Sequence, residues 1–225
     1  MDSDDLRAAV DAGDVDALRD LLCDDPALVT ALVAAPDIQP TSPLTYVGMA
    51  RFYGYAHHGR TGALARAMID AGADKDDEGK NGAPLYCAAS HGDADVVRAL
   101  LEAGADVELT DPDTPSETAL RAAAAFGWPE IVDLLVAHGA KPRSVIEAAG
   151  IGDLSDHDLG KLSDQQRANA LRAAAVNERL ETIDQLLAAG TPLDAKSDGH
   201  PAVYWAQRQG RDKAVAHLTA KASTP

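Results

Sequence analysis

One short unit recurs along the chain, and it limits the folds open to this sequence more than any other feature. In the stretch 83–106, two apolar runs follow each other, each with the spacing of one helical face. Gly92 separates the runs and Gly104 ends the second, and glycine permits the positive φ at which a helix stops and the chain turns back. The runs consist of Leu85, Ala88 and Ala89, then Val96, Val97, Leu100 and Leu101.

This unit predicts helix, tight turn, helix and loop, and it needs neighbours because neither helix can bury its apolar face alone. A copy is visible further along: Leu120 and Gly127 repeat Leu85 and Gly92 at a displacement of 35 residues. Apolar residues make up 46% of the chain but aromatic residues only 4%, which suits small, closely packed helices better than one large core or a sheet. The chain is therefore expected to be an array of such units.

The unit resembles the ankyrin repeat, a helix–turn–helix unit of about 33 residues. The resemblance implies an all-α ankyrin-repeat solenoid of about six helix–turn–helix units with two insertions, of the bacterial type with degenerate repeats. The residues of 83–106 that match the family pattern are Pro84, Leu85, Ala88, Ala89, Gly92, Val96, Val97, Leu100, Leu101, Gly104, Ala105 and Asp106.

Comparing the rest of the chain with this unit predicts a single ankyrin-repeat domain over 1–225. Three units match well and three are degenerate, the last being a polar C-terminal cap. The predicted repeats are about 4–34, 42–78, 83–115, 118–142, 167–195 and 200–221, and the predicted insertions are about 51–60 and 143–166.

The two insertions are the clearest departures from the repeat. The second repeat is nine residues longer between its helices than the unit at 84–106, and the extra residues are rich in aromatic side chains and histidine. Either its first helix is extended or a loop bulges between the helices. The later insertion contains a short helix at 143–150 and then a polar turn, and Ser163 is placed to cap the next helix.

Charge and composition limit the possible partners and compartment. The formal net charge is −16, which disfavours nucleic acid and anionic membrane surfaces. The N-terminus shows no signal-peptide pattern, and no apolar run is long enough to span a bilayer. Cys23 and Cys87 are expected to be simple thiols in a reducing compartment. We expect a cytoplasmic protein that is a monomer.

No catalytic motif is visible, which favours a non-catalytic protein without a cofactor. The adjacent His57 and His58 point in different directions on a helix and have no evident third ligand, so no metal site is predicted. Function is therefore to be sought in surfaces rather than in a reaction centre.

The resemblance implies a protein partner, bound through the concave face and the finger loops. In the family, one first-helix histidine bonds to the neighbouring loops and stiffens the stack. None of the residues at that position is histidine here, so those contacts must be built differently. The residues at this position are Arg7, Thr45, Tyr86, Arg121, Arg172 and Tyr204.

The aromatic and histidine-rich insertion at 51–60 leaves three hypotheses open. Its rings pack between the N-terminal repeats, or they overhang the groove and anchor a protein partner. Alternatively, the chain is a small-molecule-binding or catalytic ankyrin scaffold in which the insertion supplies acid, base and anchoring groups. The candidate binding residues are Arg51, Phe52, Tyr53, Tyr55, His57, His58, Tyr86, Arg121, Arg172 and Tyr204.

Overall fold

The computed structural model describes residues 3–56, 59–77, 82–111 and 114–223 and confirms a mostly helical fold. The chain divides into two compact units, Met1–Ala119 and Leu120–Pro225, and each is described by itself. The helices of the first unit are α1 (Ser3–Ala12), α2 (Val15–Asp24), α3 (Pro43–Ala50), α4 (Thr61–Asp70), α5 (Pro84–His91) and α6 (Ala94–Glu102). Next come α7 (Ala119–Phe126), which begins at the boundary, α8 (Pro129–Ala137), α9 (Val145–Ile151), α10 (Asp164–Val176), α11 (Leu180–Ala188), α12 (Ala202–Arg208) and α13 (Asp212–Ala222).

The turn after the first helix of each pair is built almost identically along the chain. One residue takes a positive φ, and the N–H of the next residue donates to the carbonyl of an alanine five residues back. This bond closes the helix end and reverses the chain, as in a left-handed C-terminal cap. The pairs of turn residue and accepting alanine are Gly13 and Ala9, Gly92 and Ala88, Gly127 and Ala123, Gly152 and Ala148, Glu178 and Ala174, and Gly210 and Ala206.

Glu178 is the non-glycine member of that series. Without a glycine, the sequence predicts either a left-handed asparagine or a different turn geometry at this point. Glu178 takes a φ of 55° while Asn177 keeps an ordinary φ of −102°, so the left-handed asparagine is wrong. Asn177 is needed elsewhere: its side-chain amide is buried and donates to the carbonyls of Ala124 and Ala173, both at 2.8 Å.

The helix starts follow the sequence signals. Ser42 caps α3 and Pro43 occupies its first turn, as predicted. Ser163 and Gln166 form a reciprocal capping box at the start of α10, which confirms the cap predicted there. The buried Asp93 caps α6 by accepting from the Val96 N–H at 3.1 Å.

Small residues let the first helices approach closely. A Cβ added to Gly48 of α3 would lie 3.2 Å from the Ala88 Cβ of α5. In the second unit, a Cβ on Gly150 of α9 would lie 2.5 Å from the Ala124 Cβ of α7. Both glycines are therefore contact points between neighbouring first helices. A methyl group has no room at Gly150, and at Gly48 it would need Ala88 to shift by a few tenths of an ångström.

The two predicted insertions have different structures. Helix α3 ends at Ala50, and hydrogen-bonded turns follow over 51–56, so the first helix does not continue into the loop. The helix predicted at 143–150 is confirmed as α9. Ser144 caps the start of α9, and Gly152 forms the turn at its end. A short 3-10 helix, Leu159–Lys161, lies between α9 and α10.

The expectation of a purely α-helical chain needs one refinement. Three antiparallel two-stranded hairpins occur in the described residues, formed by β1 (Val33–Ala35) with β2 (Ile38–Thr41), β3 (Thr110–Asp111) with β4 (Thr114–Thr118), and β5 (Lys196–Ser197) with β6 (His200–Pro201). The proline-rich connector predicted at 35–42 lies within the first of them. Proline is tolerated there because a two-stranded ladder consists only of edges.

We predict that Gly150→Ala destabilises the chain although alanine is the better helix former. The added methyl gains up to about 1 kcal/mol of helix propensity, but overpacking against Ala124 costs about 1–3 kcal/mol. Urea denaturation of the variant and the parent protein measures the difference.

The matched control is the double variant Gly150→Ala/Ala124→Gly, which moves the methyl group to the other helix. It should recover part of the loss, so that the two substitutions are strongly non-additive. Simple additivity would show that the two residues do not press on each other.

Candidate functional site

The loop after α3 forms a compact series of turns. Phe52 N–H donates to the Met49 carbonyl at 3.0 Å, and Tyr55 N–H donates to the Ala50 carbonyl at 2.8 Å. Gly54 has a φ of 80°, a conformation that suits glycine, and its N–H donates to the Arg51 carbonyl at 3.2 Å. The loop backbone is therefore held by its own hydrogen bonds before any partner binds.

Three rings meet on this loop, and we call Phe52, Tyr53 and His91 the aromatic trio. Ring centroids are 5.3 Å apart for Phe52 and Tyr53, 5.0 Å for Phe52 and His91, and 5.6 Å for Tyr53 and His91. Phe52 sits edge-to-face against both neighbours, which is the favourable arrangement for aromatic pairs. Phe52 nevertheless remains 61% exposed and Tyr53 39% exposed.

His91 is fixed by its own helix. It is the last residue of α5, and its Nδ1 lies 2.8 Å from the Cys87 carbonyl oxygen, which can only accept a hydrogen bond. Nδ1 therefore carries a proton and donates to that carbonyl. This bond holds the ring where Phe52 and Tyr53 reach it.

Two tyrosine–aspartate pairs involve Tyr46 of α3 and Tyr55 of the same loop. The Tyr46 hydroxyl donates to Asp11 at 2.7 Å, and the Tyr55 hydroxyl donates to Asp37 at 3.2 Å. The tyrosine rings are themselves neighbours, with centroids 6.5 Å apart. Burial, followed by the hydrogen bond to Asp11, raises the pKa of Tyr46 well above its usual value, so this phenol stays a donor to the carboxylate.

Asp93, two residues after His91 in the sequence, carries a buried carboxyl group. It is only 1% exposed, and its Oδ1 accepts from the Thr61 hydroxyl and the Val96 N–H, both at 3.1 Å. Among the described atoms its Oδ2 has no hydrogen-bond partner. Burial raises the pKa of Asp93, although the nearby positive charge of Arg51 opposes the shift.

The arginines at the position of the family histidine connect successive repeats within each unit. Arg7 donates to the Ala34 carbonyl at 3.2 Å in the first hairpin, and Arg121 lies 3.5 Å from the Ser144 hydroxyl at the α9 cap. Arg172 donates to Ser197 at 3.4 Å and also pairs with Asp198, both in the hairpin that precedes α12. These bonds support the expectation that the contacts between loops are built without histidine.

The remaining candidate residues lie apart from the trio or have other contacts. Tyr204 belongs to the second unit and stacks on His200 with centroids 3.9 Å apart. Arg172 of the same unit lies over the Trp205 ring at 4.3 Å. Tyr86 is half-buried on α5 and has contacts of its own. His57 and His58 lie outside the described residues.

Sequence reasoning missed His91 as a member of the site. A signal was available: aligning Leu44 with Leu85 places Arg51 opposite Gly92, so the residues that follow α3 should lie beside the end of α5. His91 is the aromatic side chain at that end. Asp11, Asp37 and Asp93 carry no such signal, because their roles depend on side-chain contacts between separate elements.

The described residues offer no evident metal centre or membrane-spanning segment. Within 3–56, 59–77, 82–111 and 114–223, no group of three or more His, Cys, Asp or Glu side chains is arranged to hold a metal ion. No helix in those same ranges is both long and apolar enough to cross a bilayer.

We predict that Asp93→Asn changes how stability depends on pH. Because the folded-state pKa of Asp93 is raised, the folded chain binds the proton more tightly than the unfolded chain. Its stabilising contribution is thus full below the unfolded value and is lost as pH rises through the folded pKa. Asparagine keeps the capping oxygen and does not titrate, so the variant should gain stability relative to the parent between about pH 4 and about pH 7.

Urea denaturation at both pH values measures this gain. The control is Asp95→Asn, an exposed carboxylate on the same helix, which should show a smaller change. An equal difference between Asp93→Asn and the parent at both pH values would contradict the role assigned to burial.

Comparison with known proteins agrees with this architecture. The family model for ankyrin repeats (3 copies) matches residues 6–146. The chain is 28% identical over 175 residues to the ankyrin repeat and KH domain-containing protein mask-1 of Caenorhabditis elegans, covering 72% of this chain but 7% of that protein. The ankyrin repeat domain of human ASB11 superposes with a TM-score of 0.50 at 22% identity, covering 97% of this chain and 84% of that one, a likeness of fold. With more than half of its length matched by the family model, the chain belongs to the ankyrin-repeat family.

Proposed function

We propose that this chain is a non-catalytic binding module that recognises a protein partner, with the aromatic trio as an anchor. One observation carries the proposal: Phe52 and Tyr53 present large, exposed ring surfaces in a loop that the regular repeat does not require. Aromatic side chains dominate the energetics of protein interfaces when a partner covers them.

The trio is suited to this role because binding would cost it little conformational entropy. The loop backbone is closed by its own hydrogen bonds, and the three rings already contact one another. A preorganised surface loses less freedom when it associates. The exposure of both rings is also more consistent with a surface anchor than with the lining of an enclosed small-molecule pocket.

First-helix faces and hairpin tips of each unit are further candidates for recognition. Arg172 contributes indirectly by bonding to Ser197 in the hairpin before α12, and Arg121 lies against the Ser144 cap of α9. Tyr86 and Tyr204 stay candidates for direct contact because both are only half-buried. Ankyrin repeats usually mediate contacts between proteins, and the family membership supports this assignment without identifying the partner.

We further propose that the protein works as a monomer in the cytoplasm and is an ankyrin-repeat protein of the bacterial type with degenerate repeats. Cysteine chemistry supports the compartment. Cys23 and Cys87 both remain thiols, one exposed and one buried, as expected for a chain kept under reducing conditions.

We predict that Phe52→Ala/Tyr53→Ala abolishes capture of the partner without unfolding the chain. Both residues are exposed, so truncation should change stability little, whereas loss of two interface aromatics should weaken binding at least about ten-fold. Affinity capture from the native lysate, compared by quantitative mass spectrometry, measures the loss.

The matched control is Leu32→Ala, a large apolar side chain that is 62% exposed in the same unit but outside the loop. It should leave capture unchanged. Hydrogen exchange on the captured complex should show protection at 51–55 and around His91. Equal capture by the trio variant and the parent would remove the trio from the binding surface.

A further inference from the structure

The two units differ greatly in charge. Residues 1–119 contain 8 Lys and Arg against 23 Asp and Glu, a net charge of −15, whereas residues 120–225 contain 12 against 13, a net charge of −1. Nearly all of the −16 thus belongs to the unit that carries the aromatic trio. A field of one sign attracts partners of the opposite sign and speeds their association.

The backbone adds negative potential at the trio. The trio lies at the carbonyl ends of α3 and α5, because Phe52 follows one helix and His91 ends the other. Helix C-termini carry partial negative charge and favour cations.

Two carboxylates bond to tyrosines of the loop and of the helix before it. Asp37 accepts from Tyr55 of the loop and Asp11 accepts from Tyr46 of α3, and neutral phenols neutralise no charge. Asp37 is exposed and Asp11 is half-exposed. Arg51, at the start of the loop, is an exposed charge of the opposite sign, and Arg60 donates to the Gly13 carbonyl.

We propose that the partner segment bound at the trio is cationic, a stretch of chain bearing arginine or lysine whose charged groups lie over the rings of Phe52 and Tyr53. This inference rests on the proposed function and specifies the chemistry of the partner. A cation is attracted to the face of an aromatic ring, and the surrounding negative charge strengthens that attraction. Acidic segments are repelled by the same field.

The test measures binding of a fluorescent arginine-rich peptide to the full chain by fluorescence polarisation. Two control peptides have every arginine replaced, one with glutamine and the other with glutamate. We expect the arginine peptide to bind more tightly than the glutamine peptide by at least about ten-fold, and its affinity to fall as salt is raised. The glutamate peptide should not bind.

Two variants separate ring chemistry from apolar contact. Phe52→Leu/Tyr53→Leu keeps an apolar surface but removes the aromatic faces, and it should weaken binding of the arginine peptide about two- to five-fold per ring. Leu32→Ala is the matched control and should bind like the parent. Full affinity in the leucine variant would overturn the role of the rings.

The remaining outcomes distinguish this inference from the proposed function. If the glutamine peptide binds as well as the arginine peptide and both are lost in Phe52→Ala/Tyr53→Ala, the trio is a binding site but the partner is not cationic. If the arginine peptide binds that alanine variant as well as the parent, the trio is not its site and the proposed anchor also fails. If free arginine competes as strongly as the peptide, the site takes a small cationic ligand, and a protein segment is the wrong occupant.

Discussion

The close approach of successive first helices is the constraint on which the packing of each unit depends. Gly48 lies against Ala88 in the first unit, where an added Cβ would be 3.2 Å from the Ala88 Cβ, and Gly150 lies against Ala124 in the second, where it would be 2.5 Å away. Asn177 uses the same proximity to bond across to the Ala124 carbonyl. These contacts require small residues at the points of closest approach, while first and second helices both supply larger buried side chains, such as Tyr46, Leu100 and Leu135.

The regular turns follow from this arrangement, and the exception at α3 creates the candidate site. After most first helices, one left-handed residue and one backbone bond send the chain directly into the second helix. After α3 the chain instead makes several hydrogen-bonded turns, which bring Phe52 and Tyr53 out to His91 on the next first helix. The extra residues therefore leave the helix packing intact and add exposed aromatic surface at its edge.

Helix starts, helix pairs and the loop position could be predicted because each depends on residues close together in sequence. Ser42 with Pro43, and Ser163 with Gln166, are local signals, and the structure uses both. The turn at 177–178 uses Glu178 rather than Asn177 as its left-handed residue because the buried amide of Asn177 bonds to another helix, and that choice could not be predicted from the local sequence. The bonds from Arg7 and Arg172 to the following hairpins were likewise not predictable, since the identity of their acceptors depends on how neighbouring repeats stack.

Stacked helix pairs of the ankyrin type can be read from the amino-acid sequence alone. A repeated spacing of alanine, leucine and glycine permits little else, because each pair must bury its apolar face on a copy of itself. That Phe52 and Tyr53 meet His91 and remain exposed follows only from the tertiary structure. Adjacent helices bring together residues far apart in sequence, and exposure depends on what every neighbouring element leaves uncovered.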